Sequence, residues 1–268
     1  MASRKSKANT PTAPDPEERP AALDAVSSVA GIAGPGRWLV AEYQPTALFS
    51  LKISLATSSV GKTLLIPTPY AIKMALVDAA FRAGRLEREC DDLLKALIPI
   101  EVRISPGNHA LVTHTFVKVR QESRDSDPLQ PYSSTISYRE VAHQDDVWRW
   151  GFDLTLCNGA TAQHLVELFP HISYVGKRGS FIQFRKCSRM VTLGSEFTQP
   201  LSQAGTWSPP PRAHIAPLDD FGPEADLETL SSFTQTRPKK GKHRRFVDTI
   251  VPIGIVNTGP GFTEYSRE

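Results

Sequence analysis

Cysteine and long apolar runs are the features that this sequence has least of. Its three cysteines form no C-x-x-C pair and have no histidine at ligand spacing, which argues against a zinc site and a disulfide framework and fits a reducing compartment. No apolar run approaches the ~20 residues that a membrane span needs, and the polar, proline-rich N-terminus lacks the apolar region of a signal peptide. These absences predict a soluble, cytoplasmic protein that does not contact a membrane.

A complete nucleotide-binding loop is also missing. Residues 56–63 read A-x-x-x-x-G-K-T, one glycine short of the G-x-x-x-x-G-K-[ST] loop, which must continue directly into a helix so that backbone N–H groups converge on phosphate. Pro67 and Pro69 would interrupt such a helix within its first two turns. The sequence instead predicts a helix from Pro69 to Ala83 with Thr68 as its N-cap, so the match to a nucleotide-binding loop is accidental.

Acidic residues are absent from residues 168–195, although the net charge of the whole chain is only +3. This stretch carries five cations, whereas residues 213–236 carry five acids and no lysine or arginine, and residues 237–245 (RPKKGKHRR) carry six cations. Basic blocks interleaved with aromatic residues favour a polyanion such as nucleic acid as the partner. The alternative is that each block is a solvated basic face.

The order of the predicted elements is strand, helix, extended β insertion, helix, glycine-rich turn and strand. This order favours the α+β class, with a ferredoxin-like or RRM-like core. Residues 1–34 are rich in proline, alanine and serine and are predicted to be a flexible arm, and residues 35–268 are predicted to form one domain. Within it, residues 113–156 are predicted to form a β-hairpin with a mobile tip, and residues 200–245 to be loop-rich.

Three landmarks follow one another along the chain. They are an apolar helix opened by the sequence PTP (Pro67–Phe81), a Gly-Lys-Arg-Gly turn after an apolar segment (Ile172–Gly179), and a C-terminal strand and tail (Val251–Tyr265). In this order and spacing, residues 36–265 resemble the RAMP proteins of CRISPR systems. The resemblance is closest to the Cas-five family, the subunit that caps the 5′ end of the guide RNA in type I (Cascade) interference complexes.

The resemblance implies a modified RRM-like RAMP domain in which the predicted hairpin is a thumb. It also implies a non-catalytic subunit of a CRISPR surveillance complex, which binds the 5′ handle of the guide RNA without a cofactor or a metal. The implied protein partners are a Cas-seven-type backbone subunit and a large Cascade subunit, and target DNA is reached through the complex. The N-terminal arm and residues 213–245 match no motif of the family.

The predicted RNA-binding residues combine cations with two glycines. Gly176 and Gly179 let backbone N–H groups approach phosphates that lysine and arginine neutralise; a tight turn with solvated charges is the alternative. Arg149 alternates with three aromatic residues in VWRWGF, whose rings either stack on bases or fill the core. The complete predicted set is Lys62, Lys73, Arg149, Gly176, Lys177, Arg178, Gly179, Arg185, Lys186, Lys239, Lys240, Arg244 and Arg245.

Two other functions stay open at this point. One branch of the Cas-five family cleaves its own guide precursor without a metal, and His143 and His171 are candidate bases for such an endoribonuclease, although neither lies in a recognised pattern. No paired carboxylates at metal-site spacing indicate a two-metal nuclease. The remaining possibility is an α+β scaffold protein whose basic tail binds an acidic protein partner.

Overall fold

The structure, a computed structural model, describes residues 36–52, 60–122, 132–206, 211–231, 234 and 236–268. The predicted arm, residues 1–34, lies outside the described residues. The helices are α1 (Pro69–Arg82), α2 (Glu87–Leu97), α3 (Gly159–Leu168) and α4 (Leu227–Leu230), with 3-10 turns at Phe169–His171 and Leu201–Thr206. None of the helices in these ranges is long and apolar enough to cross a membrane. The strands are β1 (Trp38–Pro45), β2 (Leu51–Lys52), β3 (Val60–Gly61), β4 (Thr63–Leu64), β5 (Val102–Ser105), β6 (His109–Glu122), β7 (Tyr132–His143), β8 (Trp148–Asp153), β9 (Ile182–Met190), β10 (Gln199–Pro200), β11 (His214–Phe221), β12 (Arg244–Val251), β13 (Gly254–Gly259) and β14 (Phe262–Ser266).

Four strands form the central antiparallel sheet, in the order β5-β8-β1-β9. Helices α1 and α2 connect β1 to β5, and α3 connects β8 to β9. This gives the βαββαβ order of a ferredoxin-like fold, with the short strands β2, β3 and β4 inserted between β1 and α1 and the strands β6 and β7 inserted between β5 and β8. The α+β class and the ferredoxin-like core predicted from the sequence are confirmed.

The helix-covered face of the central sheet carries the aromatic residues of VWRWGF. Trp148, Trp150 and Phe152 are fully buried, because alternate residues of a strand point to the same face. Tyr43 on the neighbouring strand stacks on Trp150 with 4.1 Å between ring centroids, a contact that contributes about 0.5–1.5 kcal/mol beyond the buried area. Of the two interpretations of these rings, the structure supports the core and excludes base stacking.

The opposite face of the central sheet is covered by the chain that follows β9. Trp38 and Val40 on β1 pack against Phe197, with Leu193 beside them. A Cβ on Gly151 would lie 3.0 Å from the Leu193 side chain and 3.5 Å from that of Phe197, so glycine is the residue that lets this segment lie on the sheet. In an RRM this face presents aromatic rings to RNA; here it is occupied by the protein itself.

Helix α1 begins and ends where local sequence signals predict. The Thr68 hydroxyl accepts a hydrogen bond from the Ala71 N–H at 3.2 Å, and Pro69 takes the first helical position. Gly84, with φ of 80°, follows the helix and ends it. The near-match to a nucleotide-binding loop covers residues 56–63, of which residues 56–59 lie outside the described residues. Gly61 ends a short strand and no helix follows it directly, so for the described part the interpretation as an accidental match is confirmed.

The insertion between β5 and β8 is a long hairpin, and its bounds differ from the predicted ones. β6 pairs with β7 from Leu111↔His143 to Glu122↔Tyr132, within a five-stranded sheet of order β13-β14-β6-β7-β3. The predicted range 113–156 wrongly included β8. β8 belongs to the central sheet because its apolar residues alternate and are buried there.

A third sheet, of order β10-β12-β11, closes the molecule on the side of α1. The prediction that residues 200–245 are loop-rich is therefore wrong in part, since this range contains β11, α4 and the start of β12. Ion pairs between the acidic block (residues 213–236) and the basic block (residues 237–245) explain why this range is ordered into strands. Asp220 on β11 pairs across the sheet with Arg245 on β12, and Asp219 on β11 is ion-paired with Arg244 on β12, so the two charge blocks stabilise one another.

Candidate nucleic-acid interface

A groove of about 560 Å³ lies between β2, the first turn of α1 and the glycine-rich turn before β9. Its floor is apolar and aromatic, and its rim carries three cations. The residues that define it are Lys52, Tyr70, Met74, Tyr174, Lys177 and Arg244. The groove therefore combines the surfaces that a single-stranded nucleic acid needs, rings for its bases and cations for its phosphates.

The glycine-rich turn owes its shape to two left-handed residues. Gly176 has φ of 72° and Gly179 has φ of 101°, values that other residues rarely adopt. A Cβ on Gly176 would lie 3.1 Å from the Leu51 side chain. The turn is closed by the Ser180 N–H, which donates to the Lys177 carbonyl at 3.0 Å. This geometry leaves the side chains of Lys177 and Arg178 exposed, with Lys177 lining the groove.

The N-terminus of α1 forms the second wall of the groove. Thr68, Tyr70 and Ala71 line it, and no acidic residue lies in the first helical turn. The partial positive charge of a helix N-terminus is therefore not neutralised by a side chain of that turn, and it favours an anion.

Arg244 forms the third wall and orders an aromatic neighbour. Its guanidinium is ion-paired with Asp219 and lies 4.2 Å from the centre of the Tyr70 ring. Tyr70 in turn makes an edge-to-face contact with Phe221, with 5.5 Å between ring centroids. Burial raises the pKa of the Tyr70 hydroxyl, while Arg244 partly opposes that shift. The contacts with Arg244 and Phe221 hold the Tyr70 ring at the groove.

The cations of the groove outnumber its acids. Asp78 is paired with Arg82 at 2.8 Å, and Asp219 is paired with Arg244. Neither Lys52 nor Lys177 has an acidic partner within the part of the chain that the structure describes. The net positive charge of the groove consequently lies on exposed lysine side chains, which suits contact with phosphate.

Lys73 was predicted to bind RNA, and the structure corrects this. The side chain is fully buried and its ammonium lies 2.7 Å from Asp220 Oδ1. Burial lowers the pKa of Lys73, and Asp220 opposes that effect. The cause of the wrong assignment is the face of the helix: Lys73 points to β11, whereas Tyr70 and Met74 point to the groove.

Two further predicted cations lie on the far face of the central sheet. Arg149 is 3.6 Å from Glu196, and Lys186 is 3.7 Å from Glu42. Arg185 is exposed at a bulge in the edge strand β9. The structure does not bring these three residues to the groove.

The remaining predicted residues divide between the groove and its surroundings. Gly176, Lys177 and Arg244 line the groove, with Arg178 and Gly179 on the same turn. Lys239 and Lys240 are exposed in the loop that leads into β12, just before Arg244. Lys62 is exposed outside the lining residues, and Arg245 is bonded to Asp220 at 2.8 Å and faces another cavity.

Sequence reasoning missed Lys52, Tyr70, Met74 and Tyr174 as groove residues. Tyr174 and Tyr70 lie next to the two motifs that were recognised, so their position was a usable signal. Lys52 stands in a short strand without any motif, and only the pairing of β2 with β4 brings it to the groove.

Comparison with known proteins gives one curated relative. No family model matches the chain. A protein of Archaeoglobus fulgidus named "CRISPR-associated protein Cas5" is 21% identical over 225 residues, which cover 79% of this chain and 89% of that protein. This relative confirms the resemblance to the Cas-five family that the sequence landmarks indicate.

Solved structures of CRISPR proteins are similar to this chain as well. A CRISPR protein from Archaeoglobus fulgidus is similar over 85% of this chain and 91% of its own, with 10% identity and a TM-score of 0.41. A chain of a CRISPR RNA-guided surveillance complex is similar over 81% and 91%, with 15% identity and a TM-score of 0.34. A chain of the type III-B Cmr-beta complex bound to cognate target RNA covers 63% and 65%, with 11% identity and a TM-score of 0.37.

Proposed function

We propose that this homologue of a Cas5 protein is an RNA-binding subunit of a CRISPR effector complex of type I, and that its groove holds the 5′ handle of the guide RNA. The observation that carries the proposal is the position of Lys177 and Arg178. They stand on a glycine-shaped turn beside the N-terminus of α1. Backbone, helix and side-chain positive charge therefore converge on one place where a phosphate can lie.

The groove offers different surfaces to phosphates and to bases. Lys52 and Lys177 at the rim neutralise backbone phosphates. Tyr70, Tyr174 and Met74 form the apolar surface against which an unpaired base stacks, at about 1–3 kcal/mol per base. The exposed Lys239 and Lys240 extend the positive rim on the side of Arg244.

The exposed surface of the hairpin suits contact with the protein partners that are expected from the relationship to Cas5. Phe116 and Ile136 lie on one face of it and are 72% and 76% exposed. Large exposed apolar side chains grouped on one face suit an assembly surface. In the proposal, the hairpin is the thumb of a cytoplasmic ribonucleoprotein that contains a Cas-seven-type backbone subunit and a large subunit, and that reaches target DNA through the complex.

Co-purification tests the proposed function. The tagged chain is expressed with the products of its neighbouring genes, and the nucleic acid that elutes with it is sized and sequenced. We expect RNA of uniform length that begins with a repeat-derived 5′ end. Elution without RNA, alone or with one protein partner, would contradict the proposal and favour the scaffold function.

The proposed role is binding without cleavage. None of the described residues that line the groove is a histidine, and the two candidate bases, His143 and His171, lie outside its lining. Incubation of the purified chain with repeat RNA in EDTA is expected to leave the RNA intact. Cleavage under these conditions would replace the binding role with that of a metal-independent endoribonuclease.

A further inference from the structure

A second cavity, of about 360 Å³, lies in the seam between β5 and the sheet β10-β12-β11. We call it the seam cavity. Its lining includes Pro69, Arg103, Ser202, Asp220 and Arg245. Since the groove is lined by the residues on either side of Pro69, the N-terminus of α1 separates the two cavities and touches both.

Two consecutive arginines of β12 serve the two cavities. Neighbouring residues of a strand point to opposite faces. Arg244 accordingly lines the groove, and Arg245 lines the seam cavity. The basic residues of this strand are thus divided between two adjacent sites, rather than gathered in one patch.

One carboxylate of the seam cavity, Asp220, is shared by two cations. Asp220 is a single carboxylate that faces two cations, Lys73 at 2.7 Å and Arg245 at 2.8 Å. Lys73 is fully buried, whereas the Arg245 side chain is 48% exposed. Arg103, the other arginine of the cavity, is ion-paired with Glu101 at 2.7 Å. The lining itself carries two carboxylates and two arginines, and the one positive charge in excess comes from Lys73, buried behind Asp220. Arg245 is the member of this cluster that solvent and a ligand can reach.

The two arginines of the seam cavity retain unused hydrogen-bond donors. A guanidinium has five N–H groups. Arg103 donates from Nε to Glu101 and from Nη2 to Gln203, both at 2.7 Å, and Arg245 donates from Nη2 to Asp220. Within the described ranges, no acceptor is found for Nη1 of Arg103 or for Nε and Nη1 of Arg245. Free guanidinium donors beside an excess positive charge match a phosphodiester, which carries one negative charge.

We propose that the seam cavity binds a phosphate of the same RNA strand that occupies the groove, so that the strand passes over the N-terminus of α1. The inference rests on the proposed function. A short RNA fills the groove alone, and a longer one also reaches Arg103 and Arg245. The chain then binds several consecutive nucleotides of the single strand rather than one terminal nucleotide.

Fluorescence anisotropy with the full chain tests this inference. The probes are a short single-stranded RNA with the repeat-derived 5′ end and two longer ones, extended at either end. We expect Arg103→Gln and Arg245→Gln to weaken binding of an extended RNA several-fold and to leave the short RNA unaffected. The slope of log affinity against log salt falls by about 0.7 for each lost phosphate contact. Lys95→Gln, on the exposed face of α2 outside both cavities, is the control for the loss of one charge.

A second variant avoids the ion pairs of the two arginines. Ser202 is exposed at the rim of the seam cavity, so Ser202→Glu adds a negative charge without disturbing the core. We expect Ser202→Glu to weaken only the extended RNA, and Ser202→Gln, of the same size, to bind it normally. This pair keeps the test decisive if an arginine variant fails to fold.

Three outcomes separate this inference from the function on which it rests. Loss of binding for Lys177→Ala with Arg178→Ala, but for none of the seam-cavity variants, would overturn the second phosphate position and leave the groove intact. An equal effect of the seam-cavity variants on short and extended RNA would also overturn it. So would a change confined to the binding of inorganic phosphate, measured by calorimetry, because the ligand would then be a free anion.

Discussion

Lys177 and Arg178 lie on an exposed turn, and neither side chain has an acidic partner in the described part of the chain. Their charges are therefore available to a ligand and contribute little to folding, since exposed charges interact weakly with the rest of a protein. This separation between binding and stability makes them suitable residues for a functional test.

The first prediction concerns these two cations. Lys177→Ala combined with Arg178→Ala should weaken binding of repeat-derived RNA at least about tenfold, because a hydrogen bond to a charged group contributes about 1.5–3 kcal/mol. The thermal unfolding midpoint should not change. Filter binding at matched salt is the measurement, and Lys95→Ala is the control. Normal affinity of the double variant for RNA would contradict the assignment of the groove as the RNA-binding site.

The surroundings of Asp153 strongly change the pKa of its carboxyl group. Burial by itself raises the pKa of this carboxyl, but hydrogen bonds from Arg37 and from the hydroxyl and backbone N–H of Thr155 hold the pKa at about 2, below the usual 3.8. A carboxyl whose folded pKa lies below its unfolded value stabilises the fold above the unfolded pKa. That contribution is lost as the pH falls through the folded pKa.

The second prediction follows from this sign. In the wild type, the free energy of unfolding should fall between about pH 4 and pH 2 as Asp153 is protonated. Asp153→Asn should be less stable at neutral pH and should lose less stability across that interval. Urea denaturation at a series of pH values measures both effects. Glu228→Gln, at an exposed position of α4, is the control, and parallel profiles for wild type and Asp153→Asn would contradict the prediction.

At the scale of the element, the glycine-rich turn and α1 build the groove together. The turn needs left-handed residues at Gly176 and Gly179, and α1 needs Thr68 and Pro69 at its start. Both requirements are local. Their relative position is not, because it depends on β9 returning beside β1 and on α1 packing against β11.

The third prediction is that Gly176→Ala deforms the turn. A left-handed residue with a Cβ costs about 1–2 kcal/mol, and the added carbon meets Leu51 at 3.1 Å. We expect a lower unfolding free energy together with weaker RNA binding. Gly159→Ala is the matched control, since a Cβ there meets nothing within 4 Å and its backbone needs no left-handed conformation. Equal effects of the two substitutions would show that turn geometry is not the cause.

At the scale of the whole molecule, a buried ion cluster joins the C-terminal sheet to the ferredoxin-like core. Asp220 on β11 binds Lys73 on α1, and Lys73 also lies 5.6 Å from the Phe221 ring. Buried ions are costly to desolvate, so such a cluster specifies how the two parts fit more than it stabilises them. The wall of the groove that carries Arg244 depends on this fit.

The fourth prediction separates the two partners of that cluster. Asp220→Asn leaves the Lys73 ammonium buried without a carboxylate and should cost about 3–5 kcal/mol of unfolding free energy. Lys73→Met should cost much less, because Asp220 keeps its bond to Arg245. Chemical denaturation measures both variants. A larger loss for Lys73→Met than for Asp220→Asn would contradict the assignment of Asp220 as the shared partner.

Local signals in the sequence determined much of this protein. The cap and first turn of α1, the left-handed turn before β9, the alternating core strand at Trp148 and the strand-helix order of the ferredoxin-like core all depend on residues near one another in the chain. The backbone conformations that Gly and Pro allow, and the period of two in a strand, are sufficient to find such features.

Tertiary structure alone decided which charges are free. Lys73 and Lys177 are both lysines beside a recognised motif, yet one is buried against Asp220 and the other is exposed at the groove. The acidic and basic blocks near the C-terminus likewise cancel in large part across β11 and β12. A charge acts according to its neighbours in space and its access to water, and both depend on which faces of distant elements meet.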